Sequence, residues 1–161
     1  MEYGIKGHKA EEFKIAKWVD AQGKEITPLH LTDFEGKFKV LYCFQSWCPG
    51  CHSRGLPALQ QIIKALKDKE DVAFIAMQTV FEGFEANTYE KMLEVQQQYN
   101  LEIPFAHDPG DSTSNNRSYI MYHYRTGGTP WFIFIDKTNT VVFNDFHLDV
   151  EKTIEFLNKI E

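Results

Sequence analysis

"KVLYCFQSWCPGCHSRGLP", residues 39–57, runs from an unbroken apolar stretch into two cysteines three positions apart and leaves through a glycine and a proline. The run Lys39 to Phe44 is too continuous for a strand with one wet face and too short for a helix, so it reads as a buried parallel strand. Beyond the cysteines, Leu56, Leu59, Ile62, Ile63 and Leu66 recur at the spacing of one helix face, leaving Lys64, Lys67, Asp68 and Lys69 for the wet side. A second apolar run, "VAFIAM" (Val72 to Met77), follows. Strand, helix and parallel strand make a right-handed crossover unit. The cysteine pair therefore sits at the turn where the first strand gives way to its helix.

Two thiols at that spacing can be a redox couple, half of a metal site or a small staple. At the strand-to-helix turn Cys48 falls at the helix N-terminus and Cys51 one turn inside. Unpaired backbone N–H groups and the positive end of the helix dipole favour a thiolate at the first position, which makes Cys48 the expected nucleophile. Cys51 is then in reach to displace it, so the pair can take a disulfide from a substrate in two steps. Pro49 and Gly50 set the geometry between the sulfurs. His52 and Arg54 add positive charge if their side chains point inward. A metal site needs two further ligands, usually a second closely spaced pair, and the only other cysteine is Cys43 on the strand. No metal is therefore expected. A staple within one helical turn closes too short a loop to constrain the unfolded chain.

Working outward, "WFIFID" (Trp131 to Asp136) and "TVVFNDF" (Thr140 to Phe146) are β-branched and aromatic around a short polar turn, which predicts an antiparallel hairpin. Val150, Ile154 and Leu157 predict a closing helix from Asp149 onward. Another helix is expected over Asn87 to Tyr99, with Asn87 and Glu90 as a capping box. Near the front, "WVDAQGKEITPLHL" reads as a hairpin around Gln22 and Gly23, ahead of a turn at "DFEGK". The stretches Gln78 to Ala86 and Ala106 to Asn116 read as irregular. Neither repeat nor interdomain linker interrupts the chain, so residues 1–161 are expected to form one domain.

Composition narrows the partners. With 161 residues, 43% of them hydrophobic, the chain can bury a core without disulfides, and three cysteines are too few and too odd for a bridge framework. The net charge of −6 is spread without a basic block, which gives no footprint for nucleic acid or an anionic membrane. The polar start offers neither a signal peptide nor a membrane span, so the chain reads as cytoplasmic unless an export leader has been removed.

A second signal lies far along, in "RTGGTPWFIFID", where Thr129 and Pro130 precede a strongly apolar strand. A proline there can carry a cis bond that presents the backbone edge of Thr129 to an incoming chain. With both motifs in view, the sequence resembles the thioredoxin-like redoxins, the branch holding TlpA/ResA-type thiol-disulfide oxidoreductases and AhpC/TSA-type proteins. "WVDAQGKEI", "LTDFEGK", "VLYCFQSWCPGC", "DPGD" and "GGTPWFIFID" occur in the family's order across nearly the whole chain. The resemblance implies an α/β thioredoxin-like fold, a central mixed β-sheet with helices on both faces and an N-terminal β-hairpin extension. It implies Cys48 as attacking and Cys51 as resolving thiol, with Trp47 shielding the pair. Pro49, Gly50, Thr129 and Pro130 would form the substrate edge, and no cofactor is called for. Expected partners are a disulfide-containing protein or small thiol substrate and an upstream cellular reductant.

There are departures from the family pattern. Tyr42 stands where thioredoxin has an Asp that assists proton transfer, and Arg54 stands where ResA-type members place a Glu. Pro57 falls one residue later than the family's helix proline. Cys43 and Tyr42 have plain readings as packing, Tyr42 with a satisfied hydroxyl. Gly55 and Pro57 are expected to kink the helix, because the proline lacks an N–H and crowds the carbonyl of Ser53. Phe81, Phe84, Tyr119, Tyr122, Tyr124 and Trp131 either line a groove or belong to the core. His107, His123 and His147 are too scattered to form a ligand set.

Three functions stay in view. The first is a thiol-disulfide oxidoreductase using Cys48 and Cys51. The second is a thiol peroxidase passing through a sulfenic acid at Cys48. Against it, Leu41 and Gln45 replace the proline and threonine of the peroxiredoxin pattern. The third is a non-catalytic binding module, which the intact Cys-Pro-Gly-Cys disfavours.

Overall fold

The computed structural model describes residues 2–110 and 117–161. In chain order the elements are β1 (Lys17–Val19), β2 (Glu25–Ile26), β3 (Phe38–Phe44), α1 (Leu56–Ala65), β4 (Val72–Thr79), α2 (Tyr89–Gln98), β5 (Phe105–Asp108), α3 (Tyr119–Tyr124), β6 (Trp131–Ile135), β7 (Val141–Asp145) and α4 (Val150–Asn158). A 3₁₀ turn covers Leu31–Phe34 at the expected "DFEGK" turn. The strands form one seven-stranded mixed sheet in the order β2-β1-β5-β4-β3-β6-β7.

β3 is the centre of the fold. Its seven residues are all buried, paired in parallel with β4 and antiparallel with β6. Val40, Tyr42 and Phe44 point to the face covered by α1, α2 and α4. Leu41 and Cys43 point to the other face, which α3 and the N-terminal segment around Phe13 and Ile15 cover. The predicted alternation of helices on both faces is thus realised. Leu56, Leu59 and Ile62 of α1 are wholly buried, each contributing roughly 1.5–3 kcal/mol by leaving water.

The front hairpin forms as expected and extends the sheet. The Asp20 carboxylate accepts the backbone N–H groups of Gln22 and Lys24, Gly23 takes a positive φ of 83°, and β1 docks antiparallel on β5. Before it, the chain pairs with the opposite edge: Gly7 donates to the carbonyl of Val141, and Val141 donates back to His8. It then crosses the sheet face to reach β1. In the β6–β7 hairpin Asn139 takes φ 62°. Lys39, wholly buried in its otherwise apolar run, sends its ammonium to Asn139 Oδ1 at 2.8 Å.

Four expectations change. Gln78 and Thr79 close strand β4 rather than opening an irregular stretch. Ala106 to Asp108 belong to strand β5 rather than to an irregular stretch, and residues 111–116 of that stretch lie outside the described residues. A four-residue strand holding His107 and Asp108 carries too little periodicity to read locally. The short helix α3 was likewise not expected; the Asp108 carboxylate accepts the N–H groups of Tyr119 and Ile120 at its start. Finally, the cap of α2 is Thr88, whose hydroxyl accepts from Lys91 N, while Asn87 faces inward for another purpose.

Candidate active site

Cys48 directly precedes the helix, and its carbonyl accepts from Cys51 N at 3.0 Å and His52 N at 3.3 Å. The expected placement at a helix N-terminus therefore holds. Cys51 N also points at Cys48 Sγ, 3.2 Å away, so a backbone donor faces the first sulfur. The two sulfurs are joined as a disulfide, with Cα atoms 5.2 Å apart. Their burial differs: Cys48 keeps 8% of its surface exposed and Cys51 none. An attacking thiol must approach from the Cys48 side.

The helix bearing the pair widens into a π turn over Cys51–Gly55 before becoming α-helical at Leu56, whose N–H bonds to Cys51 O. Pro57 explains the position of this irregularity, since it cannot donate to the carbonyl four residues back. Gly55 faces inward. A Cβ placed on it would lie 2.7 Å from Pro130 Cβ and closer still to the Tyr42 hydroxyl, so only glycine fits without movement. The expected satisfied hydroxyl of Tyr42 is corrected here: it is buried with no hydrogen-bond partner among the described residues. Burial pushes its pKa well above the usual phenol value.

Thr129 and Pro130 reach the pair from β6, because the antiparallel register sets the start of β6 beside the end of β3, Cys43 opposite Trp131. The Thr129–Pro130 bond is cis. Thr129 Oγ1 lies 3.5 Å from Cys48 Sγ, and Pro130 Cδ stands 3.3 Å from where a Cβ on Gly50 would be. Trp47 extends its ring outward, 62% exposed, while Trp47 N donates to Asn87 Oδ1 at 2.7 Å. Of the sequence-named residues, Cys48, Cys51, Pro49, Gly50, Thr129 and Pro130 come together. His52 and Arg54 do not turn to the sulfurs: His52 Nε2 donates to Ser46 O, its Nδ1 meets the Tyr99 hydroxyl, and Arg54 lies over the Phe146 ring at 4.7 Å.

Beneath the pair lies a polar network that motif reading missed. Gln78 Oε1 accepts from Ser46 N, and Gln78 Nε2 donates to Thr88 O and to His107 Nδ1, 3.0 Å away. His107 Nδ1 is thus an acceptor, and burial lowers the His107 pKa in the same sense. Asn87 Nδ2 donates to the carbonyls of Glu82 and Gly83. Gln45 Oε1 accepts from Phe81 N and Glu82 N. Buried glutamines at the ends of two adjacent strands were the signal, since an amide at such a position must find partners. Of the aromatics, Tyr124 and Trp131 are core, whereas Phe84 and Tyr122 are exposed. Cys43 is a free, buried thiol, pushed up by burial. Among the described residues, no cluster of His, Cys, Asp and Glu could hold a metal ion, and no helix is long and apolar enough to cross a membrane.

A mixed sheet that brings a Cys-x-x-Cys turn against a cis-proline loop defines a thioredoxin-like redoxin. Residues 6–144 match the model of the AhpC/TSA family, and the chain belongs to that family. It resembles the solved thioredoxin-like superfamily protein SPOA0173 at 30% identity over 96% of this chain and 98% of that one, with a TM-score of 0.80. A thiol-disulfide isomerase from Corynebacterium glutamicum shares the fold at 24% identity, covering 96% and 93% of the two chains, TM-score 0.73. The reduced 2-Cys peroxiredoxin of Plasmodium vivax shares it at 17% identity, 95% and 94% coverage, TM-score 0.68. No curated protein matches the chain.

Proposed function

We propose that the chain is a thiol-disulfide oxidoreductase acting on disulfides of protein or small-molecule partners. The Cys48 thiolate attacks a substrate disulfide, forming a mixed disulfide and expelling one substrate thiolate. Cys51 then attacks Cys48 Sγ, releasing the second substrate thiolate and leaving Cys48 bonded to Cys51. The substrate gains two electrons, which a cellular dithiol returns to the pair. Thr129 and Pro130 supply the edge against which an extended substrate lies.

The observation that carries this reading is the unequal pair, one cysteine keeping 8% of its surface exposed with its sulfur facing a backbone N–H, the other wholly buried beside it. Membership of the AhpC/TSA family keeps peroxide reduction as the second reading. Peroxide cleavage needs donors free to take up the charge on the departing hydroxide. At the position of the peroxiredoxin threonine, Gln45 has its oxygen occupied by loop N–H groups and its amide nitrogen directed at Thr129. That supports disulfide exchange.

The test compares two substrates. Reduced protein should reduce insulin or a mixed-disulfide peptide with turnover, while stopped-flow oxidation by hydrogen peroxide stays close to that of a free low-pKa thiol. Cys48→Ser should lose both, and Cys51→Ser should trap a disulfide-linked partner. Fast peroxide oxidation with negligible disulfide reduction would replace this reading with the peroxidase.

A further inference from the structure

Gln45 is 1% exposed at the end of β3, and both ends of its amide are engaged. Its oxygen is met by Phe81 N at 3.2 Å, Glu82 N at 3.3 Å and Asn87 Nδ2 at 3.4 Å. The first two are backbone N–H groups and can only donate. The Asn87 amide is oriented the same way, because its nitrogen meets the carbonyls of Glu82 and Gly83 and its oxygen meets Trp47 N. The rotamer ambiguity of an amide is therefore removed by groups of one sense only. The Gln45 nitrogen must face Thr129 Oγ1, at 3.5 Å.

A hydroxyl has one proton and two lone pairs. Thr129 Oγ1 spends a lone pair on Gln45 Nε2, leaving its proton for its other neighbour, Cys48 Sγ, also at 3.5 Å. We propose that Gln45 is a positioning residue for the redox centre: it holds the Thr129 hydroxyl as a donor to the Cys48 thiolate and ties that donor to the loop bearing Phe81 and Glu82. A thiolate only accepts, so a hydroxyl oriented this way favours the charged form. Without Gln45 the hydroxyl can rotate and serve as acceptor to water. This rests on Cys48 being the nucleophile, and its readout is the ionisation of Cys48 rather than turnover. Loss of disulfide reduction would count against the proposed function, not against the role of Gln45.

The experiment measures the pH dependence of Cys48 alkylation by iodoacetamide in the reduced protein, with mass mapping. Gln45→Met preserves length and removes both hydrogen-bonding ends. Its Cys48 midpoint should rise by about one pH unit, the order expected for a hydrogen bond to a charged acceptor. Thr129→Val should rise equally, Thr129→Ser should restore the wild-type midpoint, and the double variant should rise no further than Thr129→Val alone. A wild-type midpoint in Gln45→Met, or shifts that add in the double variant, would overturn the proposal. Should Gln45→Met lose its cooperative unfolding transition, Gln45→Glu carries the test. A carboxylate still accepts from Phe81 N and Glu82 N but cannot donate to Thr129. Its added charge acts in either background, so its shift should be larger with Thr129 present than with Thr129→Val. Equal shifts in the two backgrounds would overturn the proposal.

Discussion

Thr129 Oγ1 lies 3.5 Å from Cys48 Sγ although 81 positions separate them in the chain. The pairing of β3 with β6 brings them together, since the antiparallel register sets the end of one strand beside the start of the other. The same register places Cys43 opposite Trp131, on the sheet face away from Tyr42 and the cysteine pair. The strand and the turn that follows it thus hold two unlike thiol environments within a few residues.

Those environments predict an order of labelling. In the reduced protein at neutral pH, limiting iodoacetamide should modify Cys48 first, Cys51 later and Cys43 only on unfolding. Cys48 is the partly exposed thiol facing Cys51 N, whereas Cys43 is sealed and its pKa is raised by burial. Peptide mass mapping over time reads the order; early label on Cys43 would contradict the buried placement of β3.

Gly55→Ala should destabilise the protein. In an ordinary helix this change stabilises by roughly 0.5–1 kcal/mol. Here the methyl meets Pro130 Cβ at 2.7 Å and the Tyr42 hydroxyl. Overpacking of that kind costs about 1–3 kcal/mol, so the steric term wins. Urea titration should show a lower midpoint with an unchanged slope.

Asn87→Ala should loosen the loop beside the redox centre. The side chain meets Trp47 N and the carbonyls of Glu82 and Gly83 at once, and its removal takes the partner from the partly buried Trp47 N, at up to about 1–3 kcal/mol. Limited proteolysis should shift to new cleavage within residues 81–87, and hydrogen exchange at Trp47 N should speed up. Thr88 is untouched, so the helicity of α2 should persist.

Asp108 predicts a pH dependence. Burial raises its carboxyl to about 6, against the pull of the Ile120 and Tyr119 N–H groups. A carboxyl whose folded pKa lies above its unfolded value contributes stability in full below about pH 4, and loses it as pH rises through about 6. Relative to wild type, Asp108→Asn should therefore gain stability between about pH 4 and pH 7, as read by guanidinium titrations at several pH values. A constant difference across that window would remove the argument.

Motif and spacing located much of the candidate site. Cys48 and Cys51 at the strand-to-helix turn, Thr129 and Pro130 before an apolar strand, and the irregular helix at Gly55 and Pro57 all follow from short segments whose chemistry is local. Asn87 shows where such reading stops. As a helix-capping residue type just before an apolar helical pattern it reads as a cap, yet Thr88 performs that task and Asn87 turns to Trp47 and the loop. Both residue types can cap, and the choice between them lay with groups 40 positions away. Strand β5 was hidden for a related reason, since its neighbours β4 and β1, not its own alternation, make it a strand.

The sequence by itself determined most of the order of elements, the buried central strand and the position of the two closely spaced cysteines at its end. These depend on apolar periodicity and on backbone constraints within a few residues of one another. Only the tertiary structure decided what surrounds the thiols: the amide of Gln45 oriented by Phe81 and Glu82, the hydroxyl of Thr129 against Cys48, and the hydroxyl of Tyr42 beneath Gly55, without a partner among the described residues. Apolar periodicity reports which face of a segment leaves water, because burial is proportional to area and has no direction. Hydrogen bonds have direction, and a buried amide or hydroxyl acquires its role only when folding brings a donor or an acceptor to meet it.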